Sequence, residues 1–115
     1  MYRPAIVSAK PVRRYRLGDY EAVLVSDVVA HGSIRYAFVL AVKRDEEQEP
    51  CLYVTLELNN FATSADDTHF LCVFDKGMHG NLGPASALTD LDAFAARALA
   101  WLEERLGCAA VQVAT

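Results

Sequence analysis

Residues 89–107 read Thr89-Asp90-Leu91-Asp92-Ala93-Phe94-Ala95-Ala96-Arg97-Ala98-Leu99-Ala100-Trp101-Leu102-Glu103-Glu104-Arg105-Leu106-Gly107. The spacing of their apolar side chains sets the class of fold. At 100° per residue, Leu91, Phe94, Ala95, Ala98, Leu99, Trp101, Leu102 and Leu106 share one face of a helix. Asp92, Ala96, Arg97, Ala100, Glu103 and Glu104 share the other. Thr89 is the expected N-cap, with Asp90 and Asp92 near the positive end of the helix dipole. Gly107 supplies a left-handed stop. Arg105 falls inside the apolar arc and must carry its charge to the rim of that arc. Six large apolar side chains at roughly 2 kcal/mol each offer of order 10 kcal/mol gross, so this face has to be buried against something.

What precedes the helix reads as strand. Residues 2–9, from Tyr2, form a first run, interrupted at Lys10-Pro11 because proline cannot donate to a ladder. Residues 12–17 follow, and Gly18-Asp19 turns the chain into residues 20–30. His31-Gly32 suits a two-residue hairpin turn of type I′. That turn pairs Val29 with Ile34, Asp27 with Tyr36, Val25 with Phe38 and Val23 with Leu40, the face with the larger side chains and the expected core. It puts Leu24, Val28, Val39 and Ala41 on the opposite face. Residues 44–50 are a charged loop. In residues 51–58, Leu52, Val54, Leu56 and Leu58 alternate with Tyr53, Thr55 and Glu57, a half-buried strand. Residues 59–68, with Ser64, Asp66 and Asp67, are polar and turn-rich. Residues 69–75 are apolar on both faces, as a covered strand would be. Gly77, Gly80, Gly83 and Pro84 interrupt regular structure. Residues 109–114, ending at Ala114, read either as a frayed end or as a short extra strand.

These elements give one α+β domain over residues 1–115, an antiparallel meander of five to six strands packed against one C-terminal amphipathic helix. A small helix-capped barrel is the alternative. The open sheet is preferred, because the strand runs stop at six and the helix stripe is wide enough to cover a sheet.

Composition narrows the function classes. The chain is 53% hydrophobic, ample for a core at a length of 115 residues. No apolar block approaches the ~20 residues of a membrane-spanning helix, and the first residues lack the apolar stretch of a secretory signal. Cys51, Cys72 and Cys108 are odd in number and not closely spaced, which fits reduced thiols in a cytoplasmic protein. A net charge of −4 disfavours nucleic acid as a partner. The charge is unevenly spread, with Arg3, Lys10, Arg13, Arg14 and Arg16 at the start and Asp45, Glu46, Glu47 and Glu49 in one loop. We read residues 10–16 as a charged edge strand rather than a phosphate-binding stripe.

No motif identifies a family or a catalytic class. The glycines at 77, 80 and 83 match neither a dinucleotide fingerprint nor a P-loop and serve as a connection. His69, Cys72, Asp75 and His79 are the most metal-like group. Strand alternation turns Cys72 away from His69 and Asp75, however, so no metal or cofactor is assigned. A cysteine among phenylalanine and valine on a strand reads as an inert buried thiol. Asp27, Tyr36, Glu57 and His69 are the candidates for a polar ligand pocket between sheet and helix, where weak hydrolytic or isomerase chemistry would sit. The leading expectation is a non-catalytic interaction or adaptor domain, a homodimer or the partner of another protein, joined through Leu24, Val28, Val39 and Ala41. It rests on more strand-borne apolar surface than one helix can cover.

Overall fold

The computed structural model describes residues 4–32, 34–59, 63, 68–75 and 78–113. Tyr2, Arg3, Ser64, Asp66, Asp67, Gly77 and Ala114 lie outside the described residues. Chain order gives β1 (Ile6–Leu17), β2 (Tyr20–Ala30), β3 (Tyr36–Arg44), β4 (Leu52–Leu58), β5 (His69–Asp75) and β6 (Met78–Pro84). A short 3-10 helix (Ser86–Thr89), α1 (Leu91–Leu106) and β7 (Val111–Val113) complete it. The strands form one antiparallel sheet in the order β6-β5-β4-β3-β2-β1-β7. It is an open meander with β6 and β7 at its edges, covered on one face by α1, and not a barrel.

The helix packs as its periodicity requires. Phe94, Ala95, Ala98 and Leu102 are buried, and Leu91, Leu99, Trp101 and Leu106 pack around them. Opposite lie Leu17, Ala22, Leu24, Leu40, Val42, Leu52, Val54, Leu56 and Leu71. The Phe94 ring sits 5.4 Å from that of Phe38. Arg105 reaches the rim of the stripe and pairs with Asp75 at 2.9 Å. Gly107 adopts φ 72° and its N–H donates to the Glu103 carbonyl, closing the helix as expected. The N-cap is Asp90 and not Thr89. Asp90 accepts from the Ala93 N–H at 3.1 Å, while Thr89 ends the preceding 3-10 turn.

Three strand expectations are corrected. The first is the β2–β3 register, which pairs Leu24 with Leu40 and Val25 with Val39, one residue away from the expected pairing, and its ladder ends there. Each of the two strands carries a bulge just past the end of this ladder. Asp27 takes a left-handed conformation (φ 50°), where β2 fits an extra residue between the pairs Ser8↔Val29 and Lys10↔Ser26. β3 likewise fits Ala37 between Tyr36↔Glu57 and Phe38↔Leu56. Beyond these points the two strands diverge, and His31 donates its N–H to Ala5 of the first segment instead. Leu24 therefore lies fully buried beneath α1 and not on the opposite face.

Second, β1 is one strand that runs through Lys10 and Pro11, with register shifts on either side of them. β7 covers β1 only from Arg14 to Arg16, so the proline stands where no outer neighbour calls for its missing N–H. Third, the glycine-rich segment forms β6, and residues 111–113 form β7, which makes seven strands among the described residues. The β5–β6 ladder shifts between Leu71 and Cys72, around Gly83 (φ 118°), whose N–H donates to the Asn81 side chain at 2.7 Å. Such a bulged edge has no clean alternation to read.

Phe94→Ala is expected to cost about 4 kcal/mol in urea denaturation, since a fully buried ring leaves a cavity. Asp90→Ala is expected to cost about 1 kcal/mol and Thr89→Ala close to nothing, a difference that distinguishes the two caps.

Candidate functional site

The sheet face away from α1, called here the open face, holds the chemistry. β4 alternates, so its apolar Leu52, Val54 and Leu56 lie under the helix and Tyr53, Thr55 and Glu57 point to the open face. In β5 the same alternation sends Leu71 and Val73 under the helix and Cys72 and Phe74 to the open face. Thr55 stands directly across from Cys72, and Phe74 directly across from His79 of β6. Glu57, Cys72 and His79 thus come from three neighbouring strands to one spot, their polar atoms within 4.8 Å of one another.

Glu57 is the centre of this group. It is buried at 7% exposure, a rare state for a carboxylate, and its partners explain how it is tolerated. Thr55 donates its hydroxyl to Glu57 Oε2 at 3.1 Å, and His79 Nε2 contacts the same oxygen at 2.8 Å. A carboxylate only accepts, so the Nε2 proton is on His79. The imidazole is held in place by stacking on Phe74, with centroids 4.3 Å apart and ring planes 12° apart. Phe74 in turn meets Tyr53 edge-on at 6.4 Å.

The Cys72 thiol is pushed up to about 12, chiefly by burial, then by the nearby Glu57 charge and the hydrogen bond to it. The order of the three groups matters. In a nucleophilic triad the imidazole stands between thiol and acid and draws the thiol proton away. Here the acid stands between thiol and imidazole and holds the proton on sulfur. The thiolate is the reactive form, so the site is built against cysteine nucleophilicity.

The four pocket candidates separate. Tyr36 pairs across the ladder with Glu57 and shares the open face with it. His69 is on the helix side of β5, its ring against Thr68 Oγ1 at 2.9 Å, and cannot join them. Asp27 is exposed on its bulge. Of the interface candidates, Val28, Val39 and Ala41 belong to the open-face cluster with Tyr36, Tyr53 and Phe74, and Val39 is fully buried there. Leu24 does not.

The cavity next to the helix, about 270 Å³ and lined by Tyr20, Arg44, Cys51, Asp75 and Arg105, contains none of the four pocket candidates. A larger one, about 450 Å³, opens where β2 and β3 diverge and includes Tyr36.

Sequence reasoning placed Cys72 and His79 in one group but missed Glu57 as their partner. The available signal was Asp75 and Met78 flanking a two-residue Lys-Gly step, a hairpin spacing that puts His79 opposite Phe74.

The basic segment is largely paired within the chain. Arg13 bonds Asp92 of α1, Arg14 bonds Glu21, and Arg16 grips Asp45 with both terminal nitrogens at 2.8–3.1 Å. One of the loop acids is thereby folded back onto the basic strand. Among the described residues no helix is long and apolar enough to cross a membrane. No protein-family model, curated protein or solved structure matches this chain.

Alkylation of the native protein between pH 7 and 10, mapped by mass spectrometry, is expected to label the half-buried Cys51 and Cys108 first. Cys72 is expected to resist, with labelling still rising at pH 10, because a thiol whose pKa is raised keeps its proton as the pH climbs past the ordinary thiol range. Ready labelling of Cys72 at pH 8 would contradict this reading of the site.

Proposed function

We propose that this chain is a non-catalytic protein-interaction domain that dimerises through the open face of its sheet. The observation that carries the reading is a contiguous group of half-buried apolar side chains on that face: Ile6, Val25, Val28, Ala30, Ile34 and Ala41. They surround a buried aromatic centre, and α1 lies on the other side of the sheet. A second copy is the occupant we favour. The group carries no charge, so its partner must be equally apolar, and the same face of another copy meets that condition through a two-fold axis. The pairing of Arg13, Arg14 and Arg16 with acids of the same chain argues for an apolar contact over a phosphate stripe.

Sedimentation equilibrium at micromolar concentration is expected to give a dimer. Val28→Lys and Ala41→Glu, each with an unchanged far-ultraviolet spectrum, are expected to weaken it at least about tenfold, since each buries a charge in an apolar contact. A strict monomer would overturn the proposal.

A second reading is supported by the cavity between the diverging ends of β2 and β3. Its volume of about 450 Å³ lies within the usual range for small-ligand sites. Val28, Val29, Ile34 and Leu58 line it, with the exposed Arg35 at its margin, which suits an apolar molecule bearing a carboxylate. Octanoate is expected to raise the melting temperature of the wild type and not of Arg35→Ala, with octylamine inactive on both. Equal effects of the acid and the amine would dismiss this reading.

A further inference from the structure

Beyond protein association, the open face brings together three donors of the kind that bind zinc-class ions. Glu57 offers a carboxylate oxygen, Cys72 a sulfur and His79 an imidazole nitrogen, and these atoms lie within 4.8 Å of one another. We propose that Glu57, Cys72 and His79 form a three-residue site for one divalent zinc-class ion, with a fourth position left for solvent or an incoming ligand.

The donor set is the first argument. Thiolate, imidazole and carboxylate together are characteristic of Zn²⁺ and its near relatives, whereas Mg²⁺ and Ca²⁺ take oxygen ligands. Spacing is the second. Tetrahedral Zn²⁺ with bonds of roughly 2.0–2.3 Å holds its donors about 3.3–3.6 Å apart. The His79–Glu57 contact at 2.8 Å has to widen by about half an ångström. The remaining separations, none above 4.8 Å, have to close by about 1.5 Å at most. Side-chain torsions cover such changes without moving the strands.

The supporting groups are the third argument. Thr55 bonds the Glu57 carboxylate and Phe74 fixes the plane of the His79 ring, so two of the three ligands are already oriented by their neighbours. All three sit on hydrogen-bonded strands of one sheet and not on loops. Access is the fourth. Cys72 is buried, but the His79 side chain is 28% exposed and opens the group to solvent on one side. Three protein ligands with one open position is the arrangement of ion sites that exchange ligands, in contrast to closed structural sites. Binding releases the thiol proton to solvent, because sulfur ligates as the thiolate.

The test uses Co²⁺ as a spectroscopic substitute for Zn²⁺ on the full chain carrying Cys51→Ser and Cys108→Ser, so that Cys72 is the thiol observed. One equivalent of Co²⁺ is expected to give a thiolate-to-cobalt charge-transfer band with the intense d–d bands of a tetrahedral ion, abolished by one equivalent of Zn²⁺. Cys72→Ser in that background is expected to remove the charge-transfer band. His79→Ala and Glu57→Gln, each removing a direct ligand, are expected to weaken binding by more than the about 10- to 100-fold that loss of a partner behind a ligand costs. The partly exposed His79 is the variant least able to disturb folding, and its melting temperature without metal serves as the control.

Absence of the charge-transfer band in the parent protein would overturn the proposal. So would undiminished affinity in His79→Ala. The outcome does not depend on dimerisation, since all three ligands belong to one chain, and a monomer is expected to give the same titration.

Discussion

The contact between α1 and the sheet, centred on Phe94 against Phe38 of β3, is the constraint on which the rest of the structure depends. A single helix can cover one face of a seven-stranded sheet. The apolar side chains that it buries, from Leu17 and Leu24 through Leu40, Val54 and Leu56, make that face the main core. Everything placed on the opposite face has to be covered by other means. Part of that cover comes from the face itself, where Tyr53 meets Phe74 edge-on and His79 stacks on Phe74. What remains half exposed gathers on and beside β1, β2 and β3, and that uneven cover is the basis of the proposed association.

The aromatic centre also explains the polar group beside it. A buried carboxylate at Glu57 is costly without partners, and here it has a hydroxyl, a thiol and an imidazole. The rings that bury the face hold His79 in position, and His79 in turn shields Phe74. Packing and polar chemistry are therefore coupled on this face. A substitution at Phe74 would disturb the orientation of the imidazole as well as the core.

How much of this can be read without the fold differs between elements. The helix is legible to within one residue at its N-cap, because a 3.6-residue period and a glycine stop are local signals. The alternation of β4 is legible for the same reason, but its burial is not: it reads as half-buried, whereas Leu52 to Glu57 are buried on both faces and Leu58 is exposed. The β2–β3 register is not. Two bulges, at Asp27 and Ala37, each insert one residue, and neither residue type announces an insertion. The hairpin signal at His31-Gly32 was outweighed by the bulge at Asp27, after which the end of β2 follows β1 instead of β3. In the observed register Leu24 pairs with Leu40 and lies on the helix face. β6 escapes because its glycines and a shifted ladder look like a connection when read along the chain alone.

By itself, the sequence determined the α+β class, the position and polarity of the helix, the two-faced character of β4 and β5, and the presence of a buried thiol at Cys72. Each follows from periodicity, composition or capping within a short window, where neighbours along the chain are also neighbours in space. Only the tertiary structure decided which face of β2 meets the helix, that Pro11 sits within a strand, and that Asp27 and His69 stand apart from Glu57. It alone decided that Glu57, Cys72 and His79 meet. Those facts depend on register across three strands, and register is set by the sum of side-chain burial over the whole sheet, a quantity no local window contains.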